Sequence, residues 1–404
     1  MKETGLAFED IQKYYTEDEV VRLTQDLVRI QSHSKAPGRE AGVVEYIRAF
    51  LERNGLEVKT QPVEDERSNV LGFLRGSGGG RSLMLNGHLD TVPPYEMDFD
   101  PFAAEIRDGR ILGRGTVDMK GAVACMLMAM LALKRSGVRL AGDLVFAGVL
   151  GEEGRSEGTE ALVMSGFRTD GAIVGEPSKF EYAIGHRGLE WLEIEITGKA
   201  AHGGVPHLGI NAIVQAAKLI QRIQEKIPPM LANRQNEFMG PSVMNFGTIS
   251  GGTQPSTVAD RCVIQIDRRY IPGETPESLM KEYTDILDEL AAEDPAFKAT
   301  LRRMESGRMK HLSQVPLETP PDAPIVQAVV SVLKTALGRE PGITTRRGWT
   351  DAGLLSYFGK IPTVVCGPGD ISYSHSRHES VPISDLVMAV AVYASTALEF
   401  CGVA

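Results

Sequence analysis

Histidines and carboxylates in this 404-residue chain recur where apolar runs stop. In Leu83–Pro93 an apolar run with strand character ends at His88-Leu89-Asp90. Residues two apart on a strand share a face, so one imidazole and one carboxylate can meet at its C-terminal end. Open α/β sheets place their ligands at that end. Asp143–Leu150 is a second apolar run, followed by Glu152 and Glu153. Gly171–Val174 is a third, followed by Glu176, and strand 361–366 leads through a loop to His375. Asp118 precedes a long Met/Ala/Leu helix. Parallel strands would bring all of these to one edge of one sheet. Carboxylates and imidazoles gathered there repel or lose solvation unless a cation sits among them. Oxygen and nitrogen ligands without thiolates suit zinc, cobalt or manganese. Two histidines and several carboxylates suffice for two metals sharing one bridging carboxylate, an arrangement that holds a hydroxide and polarises a carbonyl. Adjacent acids on a loop point in different directions. Of Glu152 and Glu153, then, one can bind metal while the other stays free as a general base.

The elements that must position these groups follow from hydrophobic patterning. Two helical patterns fill about 17 to 53, the first opened by the capping box Thr16-Glu17-Asp18-Glu19. A strand pair follows near 57–61 and 69–74, and the Gly76–Gly80 run, which lacks the Lys-Ser/Thr of a phosphate-binding loop, reads as a hairpin turn. Strands then alternate with helices, the signature of a doubly wound, mainly parallel sheet. From 185 to 308 the pattern changes. Stretches 191–196, 262–267 and 299–304 alternate apolar and polar, as antiparallel strands with one open face do, and helices fall near 209–226 and 275–292. After Pro320 the α/β pattern returns with helix 324–337, strand 361–366 and helix 383–400. The expected architecture is therefore an α/β catalytic domain (1–184 and 309–404) with an inserted α+β domain (185–308).

A net charge of −10 argues against nucleic acid or an anionic membrane as partner. The opening stretch is polar and mixed in charge, unlike a secretory leader. The most apolar helix pattern, Gly121–Leu133, is too short to span a bilayer. Four widely spaced cysteines with no CxxC pair fit reduced, buried thiols in a cytoplasmic protein.

The motifs GHLDTVP (87–93), GRGTVDMKG (113–121), GEEG (151–154), GEPS (175–178) and GKAAHGGVPHLGINA (198–212) occur in that order. With them the chain resembles, from about 20 to 400, the di-zinc amidohydrolases that include acetylornithine deacetylase, succinyl-diaminopimelate desuccinylase, aminoacylase and glutamate carboxypeptidase. The resemblance implies two divalent ions, zinc first with cobalt or manganese as alternatives. One would be held by His88, Asp118 and Glu176, the other by His375, Glu153 and the shared Asp118. It implies Asp90 as the residue orienting His88, Glu152 as the base, and a cis Asp118–Met119 bond. His375 matches the family's last ligand, and His378 falls where an acid or amide usually stands. His202 matches a histidine that reaches the partner subunit's site to stabilise an oxyanion, which implies a homodimer built through 185–308. Arg187 and Arg268 match arginines that bind a substrate carboxylate. Thr257 stands where the desuccinylases carry asparagine, a departure from that substrate class, and Trp349 is placed to wall the pocket. The implied reaction is deacylation of an N-acyl amino acid, with dipeptide or carboxypeptidase hydrolysis as the alternative. A catalytically silent, metal-binding regulatory homologue would have lost a ligand or the base, and none is missing here.

Overall fold

The runs read as parallel strands form one sheet. In the computed structural model, which describes residues 6–344 and 348–404, the strand order is Glu57–Glu64, Arg67–Leu74, Leu144–Val149, Leu83–His88, Gly171–Val174, Thr363–Val365. The last four run parallel; the first two add an antiparallel edge. Leu83–His88, Leu144–Val149 and Gly171–Val174 are buried at every position, as strands covered on both faces must be. Helix Lys120–Ser136 is buried from Lys120 through Leu133, which makes its methionines core packing. Register fixes the sheet's chemistry. His88 pairs with Val149 and Asn86 with Val174, so two residues further on Glu176 comes level with His88.

The Gly76–Gly80 run turns no hairpin. Leu144–Val149 lies between Arg67–Leu74 and Leu83–His88, so the glycines belong to a crossover. Gly76 and Gly80 serve close approach of backbone to backbone. A Cβ on Gly80 would fall 2.1 Å from the Cys401 carbonyl oxygen, and one on Gly142 would fall 1.9 Å from that of Arg81.

The chain divides into two units, one of Met1–Ile184, Leu317–Thr345 and Thr350–Ala404, the other of Gly185–Pro316 and Arg346–Trp349. The inserted unit thus runs past the expected residue 308. Its sheet has four strands rather than three, in the order Val243–Gly251, Arg261–Tyr270, Gly188–Thr197, Ala299–Arg303, all antiparallel. Leu192, Ile194, Ile196, Ile264 and Ile266 form a core with residues of helices Ala212–Ala232 and Pro276–Glu293. On the Glu193/Glu195 side, cross-strand ion pairs join Glu195 to Arg261 at 2.7 Å and Glu193 to Arg302.

Two helices depart from expectation. Ala212–Ala232 continues through Pro228 and Pro229 instead of stopping before them. Ile227 and Leu231 are both buried, worth ~1.5–3 kcal/mol each, comparable with the ~3 kcal/mol that an interior proline costs. Among the described residues, the helix long and apolar enough to cross a bilayer is Ile383–Cys401 rather than Gly121–Leu133, but 67% of its apolar window is buried within the fold, where it packs on Lys120–Ser136 and Pro324–Leu337. The Thr16 capping box is present, with Glu19 N–H donating to Thr16 Oγ1 at 3.3 Å and Thr16 N–H to Glu19 Oε2 at 3.0 Å.

Candidate metal centre

His88 ends its strand with its side chain 1% exposed. Its Nδ1 lies 3.0 Å from the Asp90 carbonyl oxygen. A carbonyl only accepts, so Nδ1 carries a proton, and in the neutral imidazole Nε2 presents its lone pair. That Nε2 faces Asp118 Oδ1 at 3.0 Å and Glu176 Oε1 at 3.7 Å. The other oxygen of Asp118, Oδ2, lies 3.2 Å from His375 Nε2, which also meets Glu153 Oε1 at 2.9 Å. One carboxylate therefore sits between two imidazoles. Ligand atoms of His88, Asp118 and Glu153 fall within 4.8 Å of one another, and so do those of His88, Glu152 and Glu176. All of these residues belong to one unit.

Each group is placed by its element. His88 and Glu176 stand at adjacent strand ends. Asp118 precedes the N-terminus of Lys120–Ser136, across a cis Asp118–Met119 bond. His375 follows the Thr363–Val365 strand, in a loop where its own φ is +59°. That left-handed backbone costs a non-glycine residue ~1–2 kcal/mol, strain of the kind stored at functional sites.

Asp90 acts differently from the expected side-chain orienter. Its carboxylate Oδ1 is 3.6 Å from His88 Nδ1, beyond a good hydrogen bond. Instead Oδ1 accepts from Glu152 N–H at 3.1 Å and Oδ2 from Glu153 N–H at 3.0 Å. The strand stops at His88, so strict alternation no longer sets the aim of residue 90. Its carbonyl orients the imidazole, and its carboxylate holds the two-glutamate turn.

The electrostatics match a cluster short of positive charge. Burial pushes the Glu152 carboxyl well up, and the charges of Glu176 and Glu153 push the same way. Burial and Asp118 also raise Glu153, against the pull of His375. Burial alone would lower His88, but Asp118, Asp90 and Glu176 hold it well above its ordinary value. Hydrogen bonds to Asp118 and Glu153 raise His375 to about 10. Two like charges 4 Å apart repel by ~4 kcal/mol at an effective dielectric of ~20, so bound cations would relieve the acids directly. The donor set is nitrogen and oxygen only, for no cysteine belongs to either group. The residues present fit a pair of divalent ions.

The sequence pattern of peptidase family M20/M25/M40 matches residues 84–399. The chain belongs to that family. This M20 hydrolase is 32% identical over 385 residues to the acetylornithine deacetylase of Myxococcus xanthus, covering 93% of this chain and 96% of that one. It is 30% identical to N-formyl-4-amino-5-aminomethyl-2-methylpyrimidine deformylase of Halalkalibacterium halodurans, covering 95% of each chain. Its fold matches aminopeptidase PepT of Bacillus cereus with a TM-score of 0.79 at 23% identity, covering 96% of this chain and 99% of that one.

The remaining expected site residues of the M20 chain lie in the inserted unit. His202 is exposed and bridges Thr257 across an antiparallel pair, which joins two separately expected positions. Its Nδ1 accepts from Gly204 N–H at 3.0 Å, leaving Nε2 as the outward nitrogen. Arg187 donates to the Met239 carbonyl at 2.7 Å. Trp349 donates to the Val315 carbonyl at 2.9 Å and meets His186 edge-on. Arg268 is a correction: its side chain is fully buried and pairs with Glu274 at 3.3 Å and Glu282 at 3.2 Å. Alternation along Arg261–Tyr270 places it on the buried face, where a guanidinium needs carboxylate partners, so it braces this unit instead of anchoring substrate. His378 turns to Asp98, 2.8 Å away, and leaves the cluster to His375.

Sequence reasoning passed over two buried groups beside the cluster. Asp351 accepts from Thr159 Oγ1 at 2.7 Å, and burial raises its carboxyl to about 7. Glu379 is fully buried, and burial likewise raises its carboxyl to about 7. Neither lies in the motifs quoted above, and only three-dimensional partners give them a role.

Proposed function

We propose that this protein hydrolyses the amide bond of an N-acyl amino acid carrying a small acyl group. The observation that carries the chemistry is Asp118 standing between His88 and His375 with Glu152 alongside. His88, Asp118 Oδ1 and Glu176 would hold one divalent ion, and His375, Asp118 Oδ2 and Glu153 the other. Zinc is the first choice, with cobalt and manganese accepted by the same donors. When bound, such a pair acidifies water to near neutrality and polarises a carbonyl.

The chain's own groups supply the rest. Glu152, pushed up by burial among acids, takes one proton from water as the new C–O bond forms. It returns that proton to the amine nitrogen as the C–N bond breaks. Asp90 holds the Glu152–Glu153 turn by two N–H bonds, so the base stays in place through both transfers. His202, supplied by a second copy of the chain, would donate to the developing oxyanion. Support for that homodimer comes from the inserted unit, whose edge strand Val243–Gly251 exposes Val243 and Ile249 and whose helix Ala212–Ala232 exposes Ile213 and Val214. Free, buried cysteines support a reducing, cytoplasmic setting.

The small acyl group rests on two relatives, a deacetylase and a deformylase, each matched over more than nine-tenths of both chains. Arg187 is the residue assigned to the substrate carboxylate. The test is a panel of N-acetyl, N-formyl and N-succinyl amino acids and dipeptides with Zn²⁺, Co²⁺ or Mn²⁺. Cleavage of the acetyl or formyl compounds is expected. Turnover of dipeptides alone would replace this reading with a peptidase.

A further inference from the structure

Glu379 is not among the groups assigned to cations, yet it grips the segment that carries the central one. Its Oε1 accepts N–H bonds from Gly115, Val117 and Asp118 at 2.9, 3.2 and 3.2 Å. Its Oε2 pairs with the buried Arg114. The same arginine donates to the carbonyl of Ser376, next to His375, at 3.4 Å. Main chain adds to this grip, for the Glu379 carbonyl accepts from Gly113 N–H at 3.1 Å. Beyond it, Ser380–Pro382 pairs antiparallel with Arg110–Leu112. The turn requires its glycine: Gly115 has φ +87°, and a Cβ there would fall 2.8 Å from the Thr91 methyl.

The rest of the cluster is placed without this carboxylate. Sheet register sets His88 and Glu176, and Asp90 sets Glu153. What Glu379 and Arg114 span is the gap between the Asp118 turn and the His375 loop. We propose that Glu379 is a positioning residue that fixes the spacing of Asp118 and His375. It thereby governs the cation position of His375, Glu153 and Asp118 Oδ2 more than that of His88, Glu176 and Asp118 Oδ1. The proposal rests on the two-cation reading above.

Glu379→Gln is the primary variant. Its amide nitrogen would press donors against the donors of Arg114, breaking the clamp while keeping size. Glu379→Asp keeps the charge on a shorter arm. Ion-free wild type, both variants and His375→Ala are titrated with Co²⁺ by visible absorption, and their thermal unfolding without metal is followed by circular dichroism. The wild type should take up two ions. In Glu379→Gln the second should bind about 10- to 100-fold more weakly, the usual cost of losing a ligand's supporting partner, with the first little changed, as in His375→Ala. Glu379→Asp should fall between, and it carries the comparison should Glu379→Gln fail to fold. A general loosening would weaken both ions alike, so an unchanged ratio in a two-ion protein overturns this inference alone. A wild type that binds fewer than two ions overturns the two-cation reading and this inference with it.

Discussion

Two clusters of buried charge, one in each unit, are built to opposite balances. In the inserted unit Arg268 and Arg234 meet Glu274 and Glu282, two cations against two anions, with Arg268 fully enclosed. At the parallel-sheet edge two imidazoles face Asp118, Glu153 and Glu176, with Asp90 and Glu152 close by. The first cluster is complete as folded. The second is satisfied only when further positive charge arrives. Buried carboxylates alone do not mark a metal centre; the deficit does.

The sharpest way to break this contrast is Asp118→Asn. Removing the shared charge should cost both ions and bring hydrolysis below detection, as measured by elemental analysis and by assay on the best panel substrate. A variant that keeps one ion per chain at wild-type affinity would show that Asp118 is not shared.

Glu152→Gln comes next. It should leave ion content intact and lower kcat by about 10²- to 10⁴-fold, the usual share of a general base. Loss of an ion along with activity would move Glu152 into the ligand set, which its place beside His88 and Glu176 makes a meaningful test.

On the balanced side, Arg268→Met leaves two buried carboxylates to share Arg234 alone and should destabilise by about 3–5 kcal/mol. Urea unfolding across pH checks both size and sign. In the wild type burial pushes Glu274 up, but Ser242, the Ile271 N–H, Arg234 and Arg268 outweigh it and hold the carboxyl below its ordinary value. A depressed carboxyl gives stability above the unfolded pKa of about 4.3 and loses it as pH falls through the folded value. The gap between wild type and variant should therefore narrow in acid. A gap that widens in acid would contradict the assigned pairing.

The smallest effect belongs to Asn211→Ala. Asn211 Oδ1 accepts from the N–H groups of Ile213 and Val214 at 3.0 and 3.3 Å. Its loss should cost about 1 kcal/mol in the same urea measurement, without altering ion binding.

The candidate metal centre was legible because its logic is periodic. Each of His88, Glu152, Glu153 and Glu176 closely follows a continuous apolar run, and parallel strands of matched register can only bring such ends together. The Thr16 box was legible because its partners lie within one turn. Features set by distant partners were not. Nothing local in Gly76–Gly80 announces that a strand from 144–149 will insert beside Arg67–Leu74. Val243–Gly251 shows little burial along its length and carries a register shift between Phe246 and Thr248, so its alternation is weak. Arg268 reads as a free guanidinium until helix Pro276–Glu293 brings Glu282 to it.

Ile383–Cys401 has one more consequence, which concerns the order of synthesis. The ribosome makes this helix after every other element described here, yet it packs on Lys120–Ser136 and Pro324–Leu337 in the core of the unit that carries the candidate metal centre. The inserted unit draws its sheet and both its helices from Gly185–Pro316 and can assemble while the chain is still growing. The unit that begins first in the sequence closes last. Until then, the apolar face that will receive the helix stays open.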